Sequence, residues 1–203
     1  MKDWKNLHYL RTGSPRQQQA YATLEASGLW TLLHAFDPVL AGTVPLGIDT
    51  DTSDLDVLCE VPAGAQERFA ELLRAHFGAQ PGFRLARRVV GGHAATVSSF
   101  CYEAEEIEVF GQALPTAQQH GLRHLLVEHA VLTAGGAAWR TAVRTLKQRG
   151  LKTEPAFALL LGLAGDPYAA LLTLEGTSAE ELRQRVAACV LPLPNDADST
   201  EPN

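Results

Sequence analysis

Asp54 and Asp56 stand one leucine apart in LAGTVPLGIDTDTSDLDVLCE, Leu40 to Glu60, directly ahead of the apolar run Val57, Leu58 and Cys59. In an extended chain successive side chains alternate between faces, so the two carboxylates point the same way. Neighbouring like charges repel, and the pair is destabilising unless a cation sits between them. Carboxylate pairs of this kind hold Mg2+ (or Mn2+) through oxygen, and one or two such ions clamp a nucleotide phosphate. A third carboxylate from an adjacent strand would complete the set. The stretch EEIEVF offers Glu108, set between Ile107 and Val109, with Glu106 as the second choice. Upstream, Gly42 allows a phosphate close to the backbone, and the hydroxyl and N–H of Thr43 can donate to it. The same residues also fit a plainer pattern. Asp54 and Asp56 could end a solvated turn, Glu108 could be an exposed strand residue, and Gly42-Thr43 a tight turn. Asp49 and Asp51 read as loop solvation that deepens the negative field.

The elements that must position these groups follow from periodicity and punctuation. Ser14-Pro15 is a helix start, serine as N-cap and proline at the first helical position, for a helix over 16–27 with Ala20, Tyr21 and Leu24 inward. Gly28 breaks it and residues 29–36 make a further turn or two. A short strand is expected over 39–43 and a second over 55–61, ended by Pro62 and Gly64. Residues 66–77 carry Phe69, Leu72, Leu73 and Phe77 on one helical stripe. Strands are expected over 83–90, 94–102 and 106–110, with Gly91-Gly92 as a hairpin turn. Beyond Pro115, helices are expected over 116–133, 137–148, 155–163, 167–174 and 178–190, punctuated by Gly135-Gly136, Gly150 and Gly165. Trp30 and Trp139 read as core. The pattern predicts an α+β fold: a mixed sheet with flanking helices over 1–114, a helical region packed on it over 115–191, and a disordered tail over 192–203.

Composition narrows the function classes. The 203 residues are 46% apolar, enough for a real core, and carry a formal net charge of −6. That charge argues against long duplex nucleic acid as the main partner. Cys59, Cys101 and Cys189 have neither metal-ligand spacing nor an even count, and read as reduced thiols. The N-terminus MKDWKNLHYLRTG lacks the apolar core of a signal peptide, and PAFALLLGLAG is too short to span a bilayer. A soluble, cytoplasmic protein with no membrane partner is expected.

The motif resembles the nucleotidyltransferase superfamily that includes DNA polymerase beta. Its signature is a Gly-Ser or Gly-Thr pair, a loop with a further glycine, then Asp-x-Asp on the next strand. Gly42-Thr43, Gly47 and Ser53-Asp54-Leu55-Asp56 fall in that order. The wider chain is similar to the bacterial domain-of-unknown-function family 4269. The stretches carrying this likeness are RQQQAYATL, GTVPLGIDTDTSDLDVLCE, IEVFGQALPTAQQHGLRHLLVEHAVL and LKQRGLKTEPAFALLLGLAGDPYAALLTL. The superfamily resemblance implies that Gly42, Thr43 and Ser53 meet the nucleotide, and that Asp54, Asp56 and Glu108 bind metal and carry catalysis. It implies transfer of a nucleoside monophosphate from a nucleoside triphosphate to an acceptor hydroxyl on a small molecule, a protein or an RNA. One departure stands out: many minimal members have an arginine just before the loop glycine, where this chain has Leu46. Lys147, Arg149, Lys152 or Arg123 would substitute for that charge.

Other residues carry double readings. Lys147 and Lys152 are candidate phosphate contacts, and are also cations at a helix end, where they favour the dipole. His120, His124 and Glu128 recur every four residues on one helix face, a spacing that also suits a zinc site. Alternatively this face lines a nucleotide cleft, with Arg123 and His124 touching substrate. Two other functions fit the sequence: a non-catalytic nucleotide- or metal-binding regulator on the same fold, and a toxin–antitoxin-type protein whose Leu/Ala-rich helices dock a protein partner.

Overall fold

The structure is a computed structural model in which residues 3–192 are described; the expected tail lies, but for its first residue, outside the described residues. The chain divides into two compact units, Met1–Gly47 with Thr52–Arg123, and Ile48–Asp51 with His124–Asn203.

In the first unit, α1 (Pro15–Ala26) starts where the serine and proline place it, and Ser14 with Gln17 closes a reciprocal capping box. Next come α2 (Leu29–Leu33), a 3-10 turn and the short strand β1 (Val39–Ala41). β1 stops two residues early because Gly42 turns the chain at φ +72°, a backbone region open to glycine. β2 (Leu55–Glu60) follows the loop, and α3 spans Gln66–Phe77. β3 (Arg84–Val90), β4 (His93–Tyr102) and β5 (Glu105–Gln112) complete a sheet of order β1-β2-β5-β4-β3. Only the β2–β5 pairing is parallel.

The sheet has two unlike faces. Leu55, Val57 and Cys59 of β2, Ile107 and Val109 of β5 and Phe100 of β4 bury into one core with Ala20 and Leu24 of α1 and Phe69, Leu73 and Phe77 of α3. Phe77 stacks on Phe100 with ring centroids 4.4 Å apart. Gln66 anchors α3 to the sheet. Its Nε2 donates to the carbonyls of Val61 and Gly111, and its Oε1 accepts from Thr96 Oγ1 at 2.7 Å. The alternate residues, Asp56, Leu58 and Glu60 with Glu106, Glu108, Phe110 and Gln112, fall on the other face.

The helical stretch divides at the glycines as the expected pair does. A 3-10 turn at Thr116–Gln118 is followed by α4 (His120–Gln148), two helical segments joined across a kink at the two glycines. Gly136 takes φ 62° and ψ −147°, a non-helical step inside it. Gly135 is required for packing, since a Cβ there would lie 2.1 Å from Trp139 Cδ1. The glycine pair therefore separates the two helical segments of α4. α5 (Thr153–Leu161), α6 (Pro167–Leu172) and α7 (Ala179–Ala187) follow, the last opened by a Ser178/Glu181 capping box. Trp139 is core, whereas Trp30 is only partly buried. No helix among the described residues is long and apolar enough to cross a membrane.

Candidate functional site

The parallel register of β2 and β5 sets Asp56 directly beside Glu108 and, one step along, Leu55 beside Ile107. The leucine and isoleucine are fully buried, so hydrophobic burial fixes this register. A one-residue slip would turn the carboxylates into the core. Glu108, and not Glu106, is thus the β5 carboxylate beside Asp56. Glu106 sits two residues nearer the start of the strand and is exposed. Asp54 lies two residues before Asp56 and is half-buried.

Glu108 feels the charge of Asp54 and of Glu106. Burial raises the Glu108 pKa above the usual carboxylate range; the charge of Asp54 raises it further, Arg88 opposes this, and Glu106 adds to it. Among the described residues no three His, Cys, Asp or Glu side chains stand in a geometry that could hold a metal ion. The donor set is nevertheless all oxygen, two aspartates and a glutamate in adjacent backbone positions, which suits a hard divalent cation rather than zinc.

Gly42 meets this set at close quarters. A Cβ built on it would lie 2.1 Å from Asp56 Oδ2 and 3.2 Å from Asp56 Cγ. The glycine therefore makes room for the Asp56 carboxylate itself. Thr43 Oγ1 donates to Ser53 Oγ at 3.1 Å, so the Gly-Thr turn and the Ser-Asp-Leu-Asp segment meet as the motif order implies. Leu46, in the position noted for its missing arginine, is 3% exposed. The turn is closed by Leu46 N–H donating to Thr43 O and Gly47 N–H donating to Val44 O.

Two residues outside the Gly-Thr and Asp-x-Asp pattern hold both limbs of this loop. Gln17 Nε2 donates to Val44 O at 2.9 Å and Pro45 O at 3.3 Å, while its Oε1 accepts from Ser14 N–H. Arg16 donates to Ser53 O at 3.0 Å and to Glu105 Oε1 at 2.5 Å. The first turn of α1 thus braces the loop ahead of Asp54. The capping sequence Ser-Pro-Arg-Gln announces the helix start, and nothing in it announces the second use of the glutamine.

His120 and Arg123 belong to the first unit; the remaining candidates lie in the second. His124 Nε2 is 3.0 Å from the carbonyl of Tyr168, which can only accept, so Nε2 is the donor of this bond. Its Nδ1 is 3.5 Å from Glu154 Oε1. Glu128 is 4% exposed; burial, then Glu154, push its pKa up to about 8 against the pull of Lys147. Lys147 Nζ donates to Ile48 O at 3.2 Å. Lys152 and Arg149 are exposed. Elsewhere, Cys59 is fully buried, and burial followed by the Asp37 charge pushes its thiol pKa up, which leaves it inert as a nucleophile.

A family model described as a domain of unknown function, DUF4269, matches residues 22–174. No curated protein matches the sequence. Among solved structures, Cid1, described as having RNA terminal uridylyl transferase activity, superposes with a TM-score of 0.53 at 14% identity, over 74% of this chain and 48% of its own. Another Cid1 structure, described as a poly(U) polymerase, gives 0.51 at 16% identity, over 74% of this chain and 50% of its own. The chain spans about half the length of the solved structures it matches. At these identities the likeness is one of fold, and the fold is that of the nucleotidyltransferases.

Proposed function

This chain belongs to the DUF4269 family, and from the carboxylates paired across β2 and β5 we propose that it is a divalent-metal-dependent nucleotidyltransferase. In the reaction, an acceptor hydroxyl oxygen forms a bond to the α-phosphorus of a nucleoside triphosphate. The α–β phosphoanhydride bond breaks, pyrophosphate leaves, and the hydroxyl proton passes to water, with Glu108 as the carboxylate that would assist its removal. The observation that carries this reading is the register pairing of Asp56 with Glu108, with Asp54 close enough to raise the Glu108 pKa and Gly42 pressed against Asp56.

Asp54, Asp56 and Glu108 would hold Mg2+ or Mn2+. When bound, such an ion neutralises phosphate charge and lowers the pKa of a coordinated hydroxyl. The chain's own residues orient the substrates. Gly42 keeps the Asp56 carboxylate free of a side chain, Thr43 and Ser53 present hydroxyls and N–H groups to phosphate oxygens, and Gln17 and Arg16 hold the loop that carries them. Lys147, Lys152, Arg123 and His124 are the proposed cationic and substrate contacts beyond this loop.

A second reading, a nucleotide-binding regulator without turnover, is favoured by one observation. Leu46 is packed inward where many members of this fold carry an arginine, so the loop itself supplies no cation to a triphosphate. Incubation of the protein with α-labelled nucleoside triphosphates, Mg2+ or Mn2+ and a cell-extract acceptor pool separates the two. Label transferred to an extract species, and absent with Asp54→Asn/Asp56→Asn, supports the transferase. Metal-dependent nucleotide binding without transfer, lost in the same variant, supports the regulator. Neither binding nor transfer removes the nucleotide reading altogether.

A further inference from the structure

Trp30 is expected in the core but lies only partly buried, and it lines a surface hollow of about 340 Å³ together with the rings of Tyr21 and His8. The hollow lies within the first unit. Its walls come from three segments. α1 supplies Tyr21 and Glu25, four residues apart and therefore on one helix face. Gly28, at φ 68°, turns the chain into α2, which supplies Trp30. The N-terminal segment supplies Asp3, Lys5 and His8. A 3-10 turn over Leu7–Thr12 fixes that segment: Asn6 caps it by accepting from His8 N–H, and Leu7 is buried beneath it. The His8 and Tyr21 rings stand 6.2 Å apart at 54°.

The faces of aromatic rings carry negative potential, and a cation set against them is attracted the more strongly as water is displaced. The chain already uses this on one ring: Arg11, outside the lining, stands over Tyr21 with Cζ 5.7 Å from the centroid. The carboxylates of the hollow point to the same ligand charge. Glu25 makes no hydrogen bond or ion pair among the described residues. Asp3 accepts from Lys5 N–H through one oxygen, at 3.0 Å. Lys5 also lines the hollow, but its Nζ is held by both oxygens of Asp37, at 2.6 and 2.8 Å, so its charge is neutralised there. Aromatic walls beside an unpaired carboxylate suit a compact organic cation, with its alkyl groups against the rings and its charge toward Glu25. The volume stands at the lower end of small-molecule sites, roughly 300–1,000 Å³. We propose that this hollow binds a small, free, alkylated ammonium compound. Tyr21 and Trp30 pack against the core on the α1 side of the sheet, not on the side that carries Asp56 and Glu108. The ligand is therefore distinct from the substrates of the carboxylate site.

The proposal does not rest on the nucleotidyltransferase reading, and its test needs neither nucleotide nor metal. Two probes of one shape and different charge are titrated with the full chain: choline and its neutral carbon isostere, 3,3-dimethylbutan-1-ol. Binding is read from the proton NMR signal of their methyl groups, which ring currents move upfield in an aromatic site. Choline should bind, and the isostere should bind at least about tenfold more weakly. Glu25→Gln should weaken choline by about threefold, the scale of an exposed charge contact. Glu25→Lys sets a cation of the chain itself at the same exposed position and should abolish choline binding at an unchanged melting temperature. Trp30→Leu keeps an apolar contact with the core while removing the ring, and should also abolish it. Glu25→Lys carries the comparison should Trp30→Leu fail to fold. Equal binding of the two probes, binding of neither, or choline binding that survives Glu25→Lys or a folded Trp30→Leu would overturn the proposal. A trimethyllysine peptide that binds more tightly than choline would overturn the assignment to a free small molecule.

Discussion

Replacing Gly42 with alanine tests the loop and the carboxylate it shelters in one experiment. Two terms act. The backbone at φ +72° is disfavoured for an L-residue by about 1–2 kcal/mol, offset by roughly 0.4–1 kcal/mol because alanine has fewer unfolded conformations to lose. The new Cβ would sit 2.1 Å from Asp56 Oδ2, so the carboxylate must turn away. Forcing that side chain off its rotamer costs about 0.5–1.5 kcal/mol. The sum is about 2 kcal/mol, a fall in Tm of roughly 4–8 °C for a chain of this size. Function should suffer more than stability, because the displaced oxygen is a proposed metal ligand: a 10- to 100-fold loss in metal-dependent nucleotide binding is expected. Thermal melts of Gly42→Ala, Asp56→Ala and the double variant isolate the contact. In the Asp56→Ala background the clash is gone, so the added alanine should cost only the backbone term, leaving a coupling of about 1 kcal/mol. Equal destabilisation in both backgrounds, together with unchanged nucleotide binding in Gly42→Ala, would refute the reasoning.

The loop brace gives a second expectation. Gln17→Ala removes two side-chain bonds to the Val44 and Pro45 carbonyls and half of the capping box, so melts should show a loss of about 1–3 kcal/mol, with nucleotide affinity reduced as well. Arg16→Met breaks a half-buried pair with Glu105 and frees the Ser53 carbonyl; weaker Mn2+ binding at a Tm within a few degrees of the parent is expected. The pH dependence should report Glu128. Its folded pKa of about 8 is raised above the unfolded value, so the folded state holds the proton more tightly, and this group's contribution falls as pH climbs from about 4.5 to 8. Glu128→Gln should therefore leave Tm nearly unchanged at pH 4 and raise it at pH 9; a variant whose Tm falls in parallel with the parent across that range would count against a buried, protonated Glu128.

Local signals carried most of the fold. Ser14-Pro15, the 3.6-residue stripe over Gln66–Phe77 and the Gly91-Gly92 turn each encode their element within a few residues, and each element forms where those residues place it. The break in α4 is legible as punctuation, and Gly136 makes the non-helical step there. Gly135 has a second cause that punctuation does not show, since it admits the Trp139 ring. Trp30 departs from its expected place. Its aromatic size argues for core, yet it lies only partly buried, beside Tyr21 and Glu25 in a surface hollow.

The site divides along the same line. Alternation alone puts Asp54 and Asp56 on one face, because that property needs only the period of a strand. Choosing between Glu106 and Glu108 needs a register, and the register is set by Leu55 against Ile107 in the core, two residues that look alike from any sequence. The role of Gly42 shows how a motif can be legible while its cause is not. The pairing of glycine with a distant Asp-x-Asp reads as a phosphate-binding device, whereas the close contact is between the glycine and the aspartate itself. Gln17 and Arg16 leave no periodic trace at all, since a polar side chain that reaches some 27 to 37 residues along the chain to a carbonyl can belong to any residue type at its target. A backbone acceptor is present at every position, so such a brace constrains only the donor end. The loop between Gly42 and Asp54 is therefore specified twice: by the glycine and carboxylates that the motif spells out, and by a helix cap whose spare hydrogen bonds hold that loop in place.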